Sequence, residues 1–136
     1  MIFRAFLAAL VIAAPHAIAE PDGWAEFIRA VGQVESGQDD AAVGDGGKAI
    51  GRYQIWRVYW IDATEFDKSI GGRYEDVRDK DYAEKVMRSY FRRYASRAYE
   101  SGDWQTLARI HNGGPRGHKK AATIGYWEKV QKEMQR

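Results

Sequence analysis

Residues 35–55 read ESGQDDAAVGDGGKAIGRYQI, and this stretch decides how the rest of the chain is interpreted. It begins at the end of an apolar segment with helical spacing and continues into the glycine-rich sequence GDGG at residues 44–47. Glycine adopts positive φ freely and aspartate bonds its own backbone, so GDGG is a strong turn signal. The stretch therefore predicts a helix end, a loop or hairpin, and a second helix over residues 53–66.

The segment before this stretch predicts a helix over residues 22–37. Asp22 can cap its start, and Gly37 can end it in a left-handed turn. Glu35 lies four residues after Val31, on the apolar side of this helix. An ionised carboxylate there loses hydration, so the position favours a protonated acid near neutral pH. The alternative is an acid that caps the helix end or forms a salt bridge there.

Asp45 has two interpretations. If it faces the acid on the apolar helix, the two form the carboxylate pair that cleavage of a glycosidic bond requires. If it only closes the Asp-Gly turn, its role is structural. The residue pattern leaves both open. Asp39 and Asp40 are weaker candidates because they lie nearer the helix end, where solvent exposure is expected.

Composition limits the classes of function. A chain of 136 residues suffices for one domain with one core. Its 21 basic and 19 acidic residues are too balanced for a nucleic-acid binder. The chain has no cysteine, and only His111 and His118 follow residue 19, so it offers no zinc site and implies no cofactor. The aromatic content of 13% suits a cysteine-free core or a cleft that binds sugars.

Residues 1–19 have the pattern of a secretory signal peptide. A short basic start precedes the apolar residues 5–14, and Ala17-Ile18-Ala19 matches a cleavage site. The apolar run is too short to span a bilayer as a helix. We therefore expect cleavage after Ala19, a folded domain over residues 20–136, no stable membrane insertion, and a secreted or periplasmic location. A retained anchor or a buried helix is the alternative.

Three more helices are predicted downstream. The helix over residues 79–98 has an aromatic and aliphatic side and is expected to be the central packing helix. Its arginines form a solvated face or meet an anionic substrate. A shorter helix capped by Asp103 ends at the loop HNGGP of residues 111–115, whose bare backbone suits close approach to a ligand or simply stops the helix. The last helix covers residues 122–134.

Two parts of the chain resemble the invertebrate-type lysozymes and the related destabilases. The first comprises VESG at residues 34–37, GRYQI at 51–55 and YWID at 59–62, and the second comprises ARIHNGGPRG at 108–117 and ATIGYW at 122–127. The likeness extends from about residue 24 to residue 130. The same segments resemble, more loosely, the soluble lytic transglycosylases.

The resemblance implies a mainly α (α+β) lysozyme-like fold, with helices around a central helix and a small β-hairpin lining a cleft. It implies a catalytic domain that cleaves the β-1,4 bond between N-acetylmuramic acid and N-acetylglucosamine in peptidoglycan strands. By the same resemblance, Glu35 is the general acid and Asp45 the second carboxylate, which attacks or stabilises the sugar cation. The substrate-binding residues that it implies are Gln54, His111, Asn112, Gly113, Gly114 and Tyr126, and it implies that Tyr126 packs near Glu35.

The chain also departs from these families. The invertebrate enzymes are rich in cysteine, and the serine and lysine linked to destabilase isopeptidase activity are replaced by residues such as Lys48 and Trp56. We therefore expect a bacterial envelope protein without isopeptidase activity. Two alternatives stay open: a lytic transglycosylase that uses Glu35 alone, and a lysozyme-fold protein that binds glycan without cutting it. An inhibitor or a secretion-machine partner is not identified by the sequence.

Overall fold

The computed structural model describes residues 19–136. Residues 1–18 of the predicted signal peptide lie outside the described residues. The helices and strands of this part are α1 Trp24–Ser36, β1 Val43–Gly44, β2 Ala49–Ile50, β3 Ile55–Trp56, α2 Arg57–Phe66, α3 Lys80–Ser101, α4 Trp104–Gly113 and α5 Ile124–Met134. The predicted mainly α fold with a small β-hairpin is confirmed. Within residues 19–136, no helix is both long and apolar enough to cross a bilayer.

Helix α3 is the central element, as predicted. It packs against α2 on one side and α4 on the other, while α1 packs against α5. Asp79 caps α3, because its Oδ1 accepts a hydrogen bond from the backbone N–H of Tyr82 at 2.8 Å. Val86, Met87 and Phe91 are fully buried on α3. Helix α3 therefore joins α2 and α4 in one core.

Helix α1 follows the predicted pattern except at its start. Gly37 ends the helix in the left-handed region with φ of 64°, as predicted. Asp22 does not cap it, and that prediction is wrong. Gly23 occupies the cap position with φ of 88°, because the backbone N–H of Trp24 donates to Pro21 in a tight turn. Phe27 and Val31 of α1 are fully buried.

The strands form a three-stranded antiparallel sheet in the order β1-β2-β3. Val43 pairs with Ile50, and Ile50 pairs with Ile55. The predicted helix start at residue 53 is wrong, because Gln54 has φ of 50° and Ile55 joins the sheet before α2 begins at Arg57. A short apolar-aromatic run fits a strand as well as a helix, so periodicity did not separate the two.

A buried carboxylate ties the hairpin side of the molecule to α3. The side chain of Glu84 is 9% exposed, and its Oε1 accepts from the Tyr53 hydroxyl at 2.9 Å and pairs with Lys80 Nζ at 2.8 Å. Its Oε2 lies 3.3 Å from Arg88 Nη2. Burial, and then the bond to Glu84, raise the pKa of Tyr53, so its hydroxyl remains a donor. Glu84 thereby fixes the loop that precedes α2.

We expect Glu84→Ala to lower the free energy of unfolding by about 3 kcal/mol, measured by urea titration. The change leaves a buried hydroxyl and two cations without their shared acceptor. Glu75→Ala is the matched control, since its pair with Arg57 at 3.4 Å is exposed, and it should cost about 0.5 kcal/mol or less. Equal losses in the two variants would contradict the anchoring role of Glu84.

Candidate active site

A cleft of about 520 Å³ opens between the hairpin and the helices. It is bordered by the end of α1, the hairpin, the start of α2 and the loop after α4. The residues that line it are Glu35, Asp45, Gln54, Trp56, Val58, Tyr59, Asp62, Tyr90, His111, Asn112, Gly113, Gly114, Pro115 and Lys120. Seven of the eight predicted site residues are thus brought to one cleft, and the eighth, Tyr126, contacts Glu35 from outside this lining.

Glu35 lies in the last turn of α1, and its side chain is 18% exposed. Its Oε1 accepts a hydrogen bond from the Tyr126 hydroxyl at 2.9 Å, and His111 Nε2 lies 3.4 Å from the same oxygen. Both neighbours contact Oε1, and Oε2 makes no hydrogen bond within residues 19–136. A partly buried carboxyl group with one engaged and one free oxygen is suited to proton donation.

The chain around Glu35 is held by the residues that follow it in sequence. Ser36 Oγ donates to the Arg52 carbonyl at 2.8 Å and accepts from the Asp39 backbone N–H at 3.0 Å. Gly51 has φ of 81°, and an added Cβ would lie 2.7 Å from the Val77 carbonyl oxygen, so only glycine fits there. The end of α1 is therefore fixed against the loop that leads into β3.

Tyr126 supports Glu35 from helix α5. Burial, and next the charge of Glu35, raise the pKa of Tyr126 well above its usual range. The hydroxyl therefore keeps its proton near neutral pH and can donate to Glu35. Tyr126 therefore lies against Glu35, as the resemblance implied, and its contact with substrate stays a prediction.

His111 is buried beneath Glu35, with its side chain 2% exposed. Its Nε2 lies 2.9 Å from the Tyr53 carbonyl oxygen, which can only accept, so Nε2 carries the hydrogen. Its Nδ1 lies 3.3 Å from the Tyr59 hydroxyl. Burial raises the pKa of Tyr59 well above its usual range, so that hydroxyl keeps its proton. Both ring nitrogens have protein partners, so the His111 ring is held in a fixed position next to Glu35.

Asp45 lies at the exposed tip of the hairpin, at the start of the turn between β1 and β2. Its φ of 50° is in the left-handed region, which is uncommon for residues other than glycine. Trp56 Nε1 donates to Asp45 Oδ2 at 3.1 Å. The weaker candidates, Asp39 and Asp40, lie outside the cleft lining. Asp39 accepts a hydrogen bond from the Ala41 backbone N–H. The hydrogen bond from Arg52 lowers the pKa of the Asp40 carboxyl group.

Gln54 lines the cleft and contacts the hairpin backbone at Gly44 and Gly51. Its backbone also has positive φ, and its Nε2 donates to the Gly51 carbonyl at 3.0 Å. A Cβ on Gly44 would lie 2.1 Å from Gln54 Oε1, so the side chain occupies space that only a glycine leaves. Part of the hydrogen-bonding capacity of Gln54 is therefore used within the protein.

The last turn of α4 presents an open amide to the cleft. Asn112 is exposed, and its side chain makes no hydrogen bond within residues 19–136. Gly113 is packed so tightly that an added Cβ would lie 2.5 Å from Thr123 Cγ2, while Gly114 has φ of 85° and ends the helix. The Asn112 amide is thus free for a ligand, and the glycines shape the backbone beside it.

Sequence reasoning did not select several residues that line the cleft, among them Trp56, Val58, Asp62 and Lys120. Trp56 and Val58 are 42% and 60% exposed, respectively. Val58 and Asp62 are four residues apart on α2, a spacing that predicts that the two side chains lie on the same face of the helix. Lys120 is brought to the cleft by tertiary packing, which has no local signal in the sequence.

The comparisons with known proteins agree with this geometry. Residues 25–133 match the Destabilase family model. The lysozyme of Meretrix lusoria is 39% identical over 88 residues, covering 64% of this chain and 69% of that protein. Lysozyme 1 of Crassostrea virginica is 39% identical over 82 residues, which are 60% of this chain and only 42% of that protein.

A solved structure is similar as well. The structure of Meretrix lusoria lysozyme in complex with Aeromonas hydrophila PliI has a TM-score of 0.66 and 33% identity. The match covers 79% of this chain and 87% of that one. The family match spans the acid at the end of α1, the hairpin and the loop after α4. The chain therefore belongs to the destabilase family.

Proposed function

We propose that this chain is a secreted or periplasmic muramidase. It would hydrolyse the β-1,4 bond between N-acetylmuramic acid and N-acetylglucosamine in peptidoglycan by a two-carboxylate retaining mechanism. The observation that carries the proposal is Glu35, a partly buried carboxyl group at the cleft. Tyr126 bonds its Oε1, while its Oε2 has no hydrogen-bond partner among the described residues. The similarity to lysozymes along most of the chain supports it.

In the first step, Glu35 gives the proton on Oε2 to the glycosidic oxygen, and the bond to the anomeric carbon breaks. Asp45 attacks the anomeric carbon or offsets its developing positive charge from the hairpin side. Its Oδ2 stays bonded to Trp56, which leaves Oδ1 for the sugar. Water then completes hydrolysis, with Glu35 acting as the base that regains its proton.

The substrate would be held along the cleft on both sides of Glu35. The free amide of Asn112 and the backbone of Gly113 and Gly114 suit the acetamido groups of the sugars. The exposed ring of Trp56 offers a face for a pyranose on the hairpin side. His111 and Gln54 then act by fixing these groups, because much of their own hydrogen bonding is internal.

Product analysis tests the proposal. The protein is incubated with purified peptidoglycan in water enriched in ¹⁸O, and the fragments are weighed by mass spectrometry. Hydrolysis gives reducing ends that carry one ¹⁸O, whereas transglycosylation gives 1,6-anhydromuramic ends with none. Unchanged glycan would contradict both enzyme proposals and leave a binding protein.

A lytic transglycosylase is the second candidate, and one observation favours it. Asp45 is exposed, lies in a turn that Asp-Gly sequences commonly form, and has one oxygen engaged by Trp56. If Asp45 is only a turn residue, Glu35 would act first as acid and then as base, and the muramic acid hydroxyl would replace water as the attacking group.

We expect Tyr126→Phe to lower kcat about tenfold with little change in KM, because Glu35 loses a hydrogen bond without a change in the cleft lining. Turnover of soluble peptidoglycan chains is the measurement. Tyr82→Phe is the control, since it removes a tyrosine hydroxyl that donates to the Gly71 carbonyl and accepts from Trp60 Nε1, away from Glu35. A tenfold loss in the control, or none in Tyr126→Phe, would contradict the role of Tyr126.

The known complex of the Meretrix lusoria lysozyme with PliI suggests a partner class. We extend the proposal to a protein inhibitor of that class binding this chain. The test is the loss of peptidoglycan turnover when such an inhibitor is added.

A further inference from the structure

The cleft has an uneven charge distribution. Glu35, Asp45 and Asp62 line it, whereas Lys120 is the only lysine or arginine among the lining residues of the described chain. Arg93 Nη1 donates to the Asp62 backbone carbonyl at 2.7 Å and lies 3.9 Å from the Asp62 carboxylate, but Arg93 does not line the cleft. An anionic group of a substrate would therefore meet mostly negative protein charge unless it reached Lys120.

Lys120 is held in a defined place. Its carbonyl accepts from Arg109 Nη2 at 3.0 Å and from Thr123 Oγ1 at 2.9 Å. Its Nζ donates to the Gly113 carbonyl at 2.7 Å, and its Cδ lies beside Gly113. An ammonium group has three N–H donors, so two remain for a ligand next to the Asn112 amide. The side chain is thus a fixed cation at the loop proposed to hold the sugars.

We propose that Lys120 binds the carboxylates of the lactyl-peptide arm of muramic acid and makes anionic glycan the preferred substrate. This inference rests on the proposed muramidase function. Muramic acid differs from glucosamine by an O3 lactyl ether, which ends in a carboxylate or in a peptide that carries carboxylates. A carboxylate beside Lys120 gains charge-assisted hydrogen bonds and avoids the acidic side of the cleft.

A purely structural role makes a different prediction. Gly113 is the last residue of α4, and a cation on its carbonyl stabilises a helix end regardless of any ligand. Loss of that contact would impair turnover of every glycan equally. The preference between charged and neutral substrates therefore separates ligand binding from helix capping.

The experiment uses soluble peptidoglycan chains that carry their peptides, and the same chains after carbodiimide amidation of their carboxyl groups. We expect wild-type kcat/KM to be about tenfold higher on the untreated chains, a preference that weakens with added salt. Lys120→Met keeps the aliphatic stem and should reduce the preference to about twofold or less. Lys119→Met is the matched control, because Lys119 is exposed and lies outside the cleft lining, and it should keep the preference.

Two results would overturn the inference: Lys120→Met keeps the wild-type preference, or it loses turnover equally on both chain preparations. The Kd values for the same preparations are measured alongside by calorimetry. Binding that depends on Lys120 in the absence of turnover would overturn the muramidase proposal and support this inference. Turnover of peptidoglycan without any dependence on Lys120 would overturn this inference alone.

Discussion

Glu35→Gln is expected to lower kcat on peptidoglycan by about a thousandfold, within the range that general acid catalysis contributes. The amide has nearly the shape of the carboxyl group, and its oxygen can still accept from Tyr126. It has no acidic proton for the glycosidic oxygen. Reducing-end release from soluble chains measures kcat, and the Kd for the same chains should change little because the cleft lining keeps its shape.

Glu26→Gln is the control for this variant. Glu26 is an exposed acid in the first turn of the same helix, so the substitution makes the same chemical change away from the cleft. Its turnover should match the wild type. If Glu35→Gln retained a tenth or more of wild-type kcat, Glu35 would not be the proton donor, and both enzyme proposals would fail.

The second large effect is expected for Asp45→Asn, with a fall in kcat of about a hundredfold or more. An amide neither attacks the anomeric carbon nor offsets its positive charge, although it can still accept from Trp56 Nε1. Asp40→Asn provides the comparison, because Asp40 is an exposed carboxylate paired with Arg52 outside the cleft. That control should retain wild-type turnover.

The products of Asp45→Asn decide between the two enzyme mechanisms. Loss of turnover together with ¹⁸O-labelled reducing ends in the wild type supports the two-carboxylate route. A decrease of less than tenfold, with anhydromuramic ends in both proteins, would identify a single-acid transglycosylase. In that case Asp45 would be a turn residue that Trp56 holds in place.

The sequence predicted the elements whose signals are local. Helix α3 has its capping Asp79 and its apolar side, and α1 ends where Gly37 indicated. The start of α1 and strand β3 were predicted wrongly. In both places a residue in the left-handed region, Gly23 or Gln54, sets the chain direction, and apolar periodicity does not report backbone φ.

The sequence motifs predicted which residues line the cleft for seven of the eight residues selected. The side of α1 that carries Glu35 follows from spacing, and its partial burial agrees with that prediction. The roles given to Asp45 and Asn112 remain predictions. The sequence did not predict the hydrogen bonds next to Glu35, in which His111 contacts the Tyr53 carbonyl and the Tyr59 hydroxyl. Such contacts join residues more than 50 positions apart and arise only from tertiary packing.

The hydrogen bond from Tyr126 to Glu35 has a consequence for the carboxyl end of the chain. Tyr126 belongs to α5, which packs on α1, and Arg29 of α1 donates to the Glu133 carbonyl near the end of α5 at 2.6 Å. Proteolytic trimming that detaches α5 would therefore strip the acid of its donor while every residue of the cleft lining stayed in the chain. A fragment without α5 would keep Glu35 and the rest of the cleft lining but lose the hydroxyl group that bonds Glu35 Oε1.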